Sequence, residues 1–219
     1  MSSVEVVKGL LLESGSVWVL WLLGLLSLAS FAVIVERALF YRTLGDDLRG
    51  LSLLLDRRLS KDEIAGALDD LSGRHTVAAS IASAGIRLSH LGPAAADKAM
   101  QSAVALERTR LDRGLAFLGT LGNNAPFIGL FGTVIGVIGA FEHLGEGHAE
   151  EGAKMASHLA SQAVMGSIAE ALVATAVGIL VALPAVAANN YFQRKVVGLL
   201  SGTDVVSNLV LAYLSAEKS

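Results

Sequence analysis

The chain has 219 residues, of which 53% are hydrophobic and only 17% are charged, with a formal net charge of −3 at pH 7. Soluble domains contain about 25% charged residues, so this composition excludes an ordinary soluble enzyme and indicates an integral membrane protein. A pI near 5.9 gives no basic surface for nucleic acid. Because cysteine is absent, the sequence offers no disulfide, thiolate metal site or cysteine nucleophile.

The first predicted element is a transmembrane helix over residues 17–40. Its centre, Val17–Val35, contains no charged residue, and as a helix it is about 28 Å long, which matches one hydrocarbon core. Residues 1–16 precede this span and are expected on the outer side of the membrane. We expect no cleaved signal peptide, because residues 1–16 lack a basic segment and the apolar run is too long.

Residues 41–113 are too polar to span a membrane, since they contain eleven Lys/Arg and ten Asp/Glu, and they are predicted to form a helical bundle. Leucines at 3-4-4 spacing indicate that its first helix is amphipathic. These leucines are Leu48, Leu51, Leu55 and Leu59. Ser60 and Glu63 have the spacing of a capping box, which predicts the start of a second helix.

Two breaks are predicted further along this segment, at Ser72-Gly73 and at Gly92-Pro93. Nothing in the sequence after Pro93 stops a helix. We therefore expect one helix to run from Pro93 through Leu111 into the second span.

The second and third spans are predicted over residues 114–142 and 161–193, joined by an outer loop, 143–160. The third apolar run, Met155–Gln193, contains a single acidic residue and is about 58 Å long as a helix, so it protrudes beyond the bilayer. Residues 194–219 are predicted to form a C-terminal helix.

The distribution of lysine and arginine predicts the direction of the three spans. The predicted inner ends are flanked by Arg37, Arg42, Arg108, Arg110, Arg113, Arg194 and Lys195. The opposite side has only Lys8 and Lys154. By the positive-inside rule, the N-terminus is expected in the periplasm, with residues 41–113 and the C-terminus in the cytoplasm.

Small residues recur at helical spacing in the second and third spans. Gly129, Gly132 and Gly136 lie in the second span, and Ala174 and Gly178 lie in the third. Such residues let helix backbones approach closely in lipid. Helix packing is therefore their simplest role, in this subunit or between subunits.

Polar residues in the same two spans are the candidates for an ion pathway. Glu170 is the acid of the third apolar run, and a carboxylate in hydrocarbon costs several kcal/mol unless it is protonated, paired or hydrated. It is expected to face water, a protonatable pocket or another chain; the alternative is an acid that snorkels to the outer interface. Thr133 and Thr175 are neutral hydroxyls, whose simpler role is to bond their own helix backbone. Pro126 and Pro184 each remove one helix hydrogen bond and predict local bends.

Other chemistry has little support in the sequence. His143 and His148 lie near acidic residues of the outer loop, but their spacing matches no metal motif. No phosphate-binding loop, nucleophile elbow or dinucleotide fingerprint is present. We therefore expect no enzyme activity, no metal and no cofactor.

Two stretches resemble the second-span and third-span motifs of the ExbB/TolQ proton-channel family, a branch of the MotA/TolQ/ExbB superfamily, and are most like ExbB. They are LGNNAPFIGLFGTVIGV at Leu121–Val137 and IAEALVATAVGILVALPAV at Ile168–Val186. The resemblance implies that Thr133, Glu170 and Thr175 line an ion pathway. It also implies that Pro126 and Pro184 correspond to the family's prolines.

The resemblance further implies a homopentamer in the inner membrane around a single-span subunit of the ExbD/TolR type, which supplies an intramembrane aspartate. A TonB- or TolA-like protein is a further expected partner. The implied function is conversion of the proton motive force into work that energises TonB-dependent transport. A TolQ-like or gliding-motility stator and a non-conducting membrane scaffold are the alternatives. Protons are favoured over sodium ions.

Overall fold

The computed structural model describes residues 17–44, 47–146 and 153–216, and every regular element within them is a helix. Three of these helices are long and apolar enough to cross a membrane. The predicted all-α class with three spans is thereby confirmed. The predicted outer segment 1–16 and residues 147–152 of the predicted outer loop, including His148, lie outside the described residues.

Seven α-helices follow one another along the described chain. They are α1 (Val17–Thr43), α2 (Leu48–Leu59), α3 (Ile64–Ser72), α4 (Val77–Arg87), α5 (Pro93–Leu111), α6 (Leu115–Glu146) and α7 (Ala153–Ala216). A single 3-10 turn, Ser89–Leu91, links α4 to α5. Helix α7 is continuous over 64 residues, so the predicted third span and C-terminal helix are parts of one element.

The chain forms two compact units. The apolar unit comprises residues 17–34 together with the described part of residues 117–189. The polar unit comprises the described part of residues 35–116 together with residues 190–216.

The core of the polar unit is built from short amphipathic helices. Asp47 caps α2, because its carboxylate accepts a hydrogen bond from the Gly50 amide at 2.9 Å. Of the predicted leucine face, Leu51 and Leu55 are buried and the other two are half-buried. In α4, Gly85 leaves room for the Met100 side chain of α5, since a Cβ at Gly85 would lie 2.6 Å from Met100 Cγ. This contact holds α4 and α5 together.

Both predicted breaks of this segment are confirmed. Helix α3 ends at Ser72 with Gly73 as its C-cap. Helix α5 begins at Pro93, directly after Gly92, whose φ of 101° favours glycine. Proline is well placed at the first helical position because its missing N–H has no partner there.

The predicted capping box is wrong. Ser60 is the C-cap of α2, and its amide donates to the Asp56 carbonyl at 3.0 Å. Helix α3 starts from Glu63, which makes no side-chain cap. The Glu63 carboxylate instead accepts a hydrogen bond from the Arg58 guanidinium at 2.5 Å. It is therefore engaged in an ion pair, while the Ser60 amide bonds the Asp56 carbonyl.

The predicted continuous helix from Pro93 into the second span is also wrong. Helix α5 ends at Leu111 and α6 begins at Leu115. Between them, Gly114 has a φ of 78°, a left-handed conformation that a right-handed helix cannot contain. The right-handed helix is therefore interrupted between Leu111 and Leu115.

Candidate ion pathway on helices α6 and α7

Helices α6 and α7 approach each other within the apolar unit as closely as their backbones allow. A Cβ at Gly129 would lie 2.7 Å from the Ala174 carbonyl oxygen. A Cβ at Gly178 would lie 2.7 Å from the Ala125 carbonyl oxygen and 3.0 Å from Gly129 Cα. The two glycines therefore oppose each other, and each accommodates the backbone of the other helix.

The close contact between α6 and α7, here called the glycine seam, continues in both directions from Gly129 and Gly178. A Cβ at Gly132 would lie 2.8 Å from Ala174 Cβ, and one at Gly136 would lie 2.6 Å from Ala171 Cβ. At the other end, Gly122 opposes Val186. Because residues late in α6 meet residues early in this part of α7, the two helices are antiparallel.

Helix α1 covers part of α6 in this unit. Val19 is fully buried, and its Cγ1 would lie 3.2 Å from a Cβ at Gly132. Trp18 makes an edge-on ring contact with Phe131, with centroids 6.2 Å apart. The opposite side of α1 is exposed and apolar, with Trp21 at 76% exposure, which suits contact with lipid.

Thr133 is half-buried, and its hydroxyl donates to the Leu130 carbonyl oxygen at 2.6 Å. This bond within one helical turn is the simpler role that threonine takes in membrane helices. The oxygen still has acceptor capacity for a second partner.

Thr175 differs from Thr133. Its hydroxyl oxygen is buried and has no hydrogen-bond partner among the described residues. Its Cα would lie 3.0 Å from a Cβ at Gly129, so it borders the tightest part of the seam. A buried hydroxyl without a partner costs about 1–3 kcal/mol. The site would therefore gain from any group that donates to this oxygen or accepts from it.

Glu170 is half-buried on α7, and the next residue, Ala171, packs under Gly136. Thr133 follows Gly132, which contacts Ala174 directly before Thr175. The structure thus places the three predicted polar residues along one stretch of a single helix pair. Whether they line an ion path stays a prediction.

Both predicted kink residues lie inside uninterrupted helices, Pro126 in α6 and Pro184 in α7. A proline nitrogen has no hydrogen to donate. The Gly122 carbonyl, four residues before Pro126, and the Leu180 carbonyl, four residues before Pro184, therefore lack their usual helix hydrogen bonds. The predicted bends stay predictions.

The sequence analysis did not predict a structural role for two buried polar residues of α1, Arg37 and Tyr41. Arg37 appeared there only as a charge that marks the inner side, yet it is 4% exposed. Tyr41, one helical turn later, is also buried. Their four-residue spacing, which puts both on one helix face, was the available signal. Within the described residues, no group of three or more His, Asp or Glu side chains is placed to hold a metal ion.

Comparison with known proteins decides the family. A model described as the MotA/TolQ/ExbB proton channel family matches residues 73–203. The chain belongs to this family. The family is one of channels and not of enzymes, and its matched segment contains the candidate residues Pro126, Thr133, Glu170, Thr175 and Pro184.

Individual relatives in the family have two different names. The chain is 43% identical to the biopolymer transport protein ExbB of Xanthomonas campestris over 99 residues, which is 45% of this chain and 35% of that protein. It is 40% identical to the Tol-Pal system protein TolQ of Pseudomonas aeruginosa over 98 residues, 45% of this chain and 38% of that protein. With TolQ of Haemophilus influenzae it shares 34% identity over 184 residues, 78% of this chain and 75% of that protein. The chain therefore matches little more than a third of the first two relatives.

Proposed function

We propose that this chain is the channel-forming subunit of an inner-membrane motor that converts the proton motive force into mechanical work on a periplasmic or outer-membrane partner. The proposal rests on one observation above all. The family-matched segment contains a tight helix pair, α6–α7, along which an acid and two hydroxyls are placed in otherwise uncharged helix. Moving one charge across 100 mV releases about 2.3 kcal/mol, and a polar path with few fixed charges suits this use.

The proposed working form is a homo-oligomer, a pentamer by family resemblance, around a single-span ExbD/TolR-like subunit that supplies an intramembrane aspartate. Exposed apolar side chains on α6 and α7 support the need for further subunits and lipid around this chain. They include Phe127, Leu130, Phe141, Met165, Leu172 and Leu180. In this arrangement spans two and three line the path and span one faces lipid.

The proposed orientation places the N-terminus in the periplasm and the C-terminus in the cytoplasm. Its support is the sequence asymmetry of lysine and arginine. Helix α7 also extends well past the apolar run to Ala216, in the direction of the proposed cytoplasmic side.

Within the family, we favour an ExbB-like role that energises TonB-dependent transport, because the highest of the three identities is with an ExbB protein. A TolQ-like role in envelope maintenance, with a TolA-like partner, is the second candidate, because the match to Haemophilus influenzae TolQ covers more of the chain. A gliding-motility stator and a non-conducting scaffold are the further alternatives.

The test of the proposed function is Glu170→Ala in the full chain, reconstituted in vesicles with its single-span partner. We expect proton flux and proton-driven work to be abolished while native mass spectrometry shows the same oligomer. Glu142→Gln is the matched control, because it removes a carboxylate at the end of α6, outside the uncharged run of α7. Full activity of Glu170→Ala at normal abundance would support the scaffold instead.

A further inference from the structure

The joint between α5 and α6 leaves helix-end carbonyl groups to be satisfied. The last four carbonyls of an α-helix have no partner within the helix. At this joint the Asp112 amide donates to the Arg108 carbonyl at 2.8 Å, and the Leu115 amide donates to the Asp112 carbonyl at 3.1 Å. The first bond satisfies one of the last four carbonyls of α5, and of the remaining three, those of Arg110 and Leu111 accept from side chains outside the helix.

Side chains of α1, about seventy residues earlier in the chain, supply those donors. The Tyr41 hydroxyl donates to the Leu111 carbonyl oxygen at 2.8 Å in a buried hydrogen bond. The Arg37 guanidinium donates to the Arg110 carbonyl oxygen over a longer distance, 3.5 Å. Leu111 itself is fully buried, so water cannot replace the tyrosine without opening the joint.

Both donors are held in place by further contacts within the polar unit. The Tyr41 ring stacks on Phe192 of α7, with centroids 5.3 Å apart and the planes 20° from parallel. The Arg37 guanidinium forms a two-point ion pair with Glu36 and lies 4.6 Å from the centroid of the Phe40 ring. A buried arginine is costly unless its donors are satisfied, and here they are directed at a carboxylate and a helix end.

We propose that Tyr41 and Arg37 are positioning residues that cap the C-terminus of α5 and thereby fix the point at which α6 begins. Helix α6 contains Thr133, so the cap determines the start of the helix that contributes to the ion pathway. The role of this cap in proton-driven turnover rests on the proposed function. Tyr41 is the stronger of the two, because its bond is shorter and fully buried.

The test is Tyr41→Phe, which removes the hydroxyl and keeps the ring that stacks on Phe192. Tyr191→Phe is the matched control, because the Tyr191 side chain is 59% exposed and its ring contacts the same Phe192 edge-on, with centroids 5.5 Å apart. Hydrogen exchange is measured by mass spectrometry over residues 108–116 of the full chain in its complex. Loss of one buried hydrogen bond should speed exchange at the joint about two- to tenfold, and the control should leave it unchanged.

The functional readout is proton-driven turnover per assembled complex, which a purely stabilising contact would not alter. Because the cap fixes where α6 begins, its loss should misplace the start of α6, and turnover in Tyr41→Phe should fall by up to the same two- to tenfold. Unchanged exchange at the joint would overturn the cap. Faster exchange with normal turnover would overturn the positioning role. A wild-type complex without proton-driven turnover would overturn the proposed function and the positioning role together, while the exchange result would still decide the cap.

Discussion

Gly129→Ala is expected to weaken the packing of α6 against α7, because the structure leaves no space for a methyl group at this position. The added Cβ would lie 2.7 Å from the Ala174 carbonyl oxygen and 3.0 Å from Thr175 Cα. Both atoms belong to the backbone of α7, so no change of rotamer can relieve the overlap. The helices must separate by roughly 0.5 Å, and a gap of that size already forfeits about a quarter of the dispersion energy of each contact.

The expected size of the effect follows from two opposing contributions. Overpacking costs about 1–3 kcal/mol, whereas replacing glycine by alanine inside a helix gains about 0.5–1 kcal/mol. The difference spans about 0–2.5 kcal/mol, and because both overlapping atoms are backbone we expect a net loss in its upper part, of about 1–2.5 kcal/mol, in the free energy of unfolding. The measurement is an unfolding titration of the purified chain with sodium dodecyl sulfate in mixed micelles, followed by circular dichroism.

Gly139→Ala in the same helix is the matched control, because a Cβ at Gly139 has no neighbour within 4 Å. This variant should be neutral or more stable than wild type by about 0.5–1 kcal/mol. The double variant Gly129→Ala/Gly178→Ala should cost less than the two single variants together, since one separation of the helices accommodates both methyl groups. If Gly129→Ala is as stable as wild type, or Gly139→Ala loses as much, the seam has been misinterpreted.

Two further predictions concern the hydroxyl at Thr175 and the direction of the chain. Thr175→Val removes a buried hydroxyl that has no partner in the described chain, so it should stabilise the isolated chain by about 1 kcal/mol. The same variant should reduce proton-driven turnover more than Thr175→Ser does, because serine keeps the hydroxyl. Full turnover of the valine variant would contradict this prediction. Ser72→Cys, at the exposed end of α3, should react with an impermeant thiol reagent only after the inner membrane is opened, and labelling of intact spheroplasts would reverse the proposed topology.

Local sequence signals predicted most of the helical framework. Long uncharged runs identified the three spans, since hydrocarbon excludes charge whatever the tertiary packing. The breaks at Ser72-Gly73 and Gly92-Pro93 followed from residues that act through their own backbone geometry. In these cases the deciding interaction is confined to a few neighbouring residues or to the solvent.

The two wrong predictions overlooked interactions that the matched patterns do not contain, although Gly114 was a local signal for the second break. The spacing of Ser60 and Glu63 fits a capping box, but Arg58 takes the carboxylate. The helix expected through Leu111 ends there, and Tyr41 supplies the hydrogen bond that the break requires. Pattern matching over a short window cannot see a donor seventy residues away, so it misses tertiary caps of this kind.

The sequence predicted which residue types form the candidate site, but it did not predict how their hydroxyl groups are hydrogen-bonded. Sequence analysis treated Thr133 and Thr175 as equivalent hydroxyls, each with the option of bonding its own helix. The structure separates them, because Thr133 bonds the Leu130 carbonyl whereas the Thr175 hydroxyl is left without a partner in the described chain. This difference depends on the side-chain conformation of each threonine beside the glycine seam, which no spacing rule specifies.

The glycine seam also limits where conformational change can occur. At Gly129 and Gly178 the contacting atoms are backbone on both helices, so neither residue has a flexible side chain that could absorb a displacement. Helices α6 and α7 should therefore move as one rigid pair within the apolar unit. A hydroxyl fixed on such a pair, as at Thr175, cannot adjust to its partner by helix sliding. A partner from outside the α6–α7 pair would have to approach the Thr175 hydroxyl, whereas the Thr133 hydroxyl already bonds its own helix.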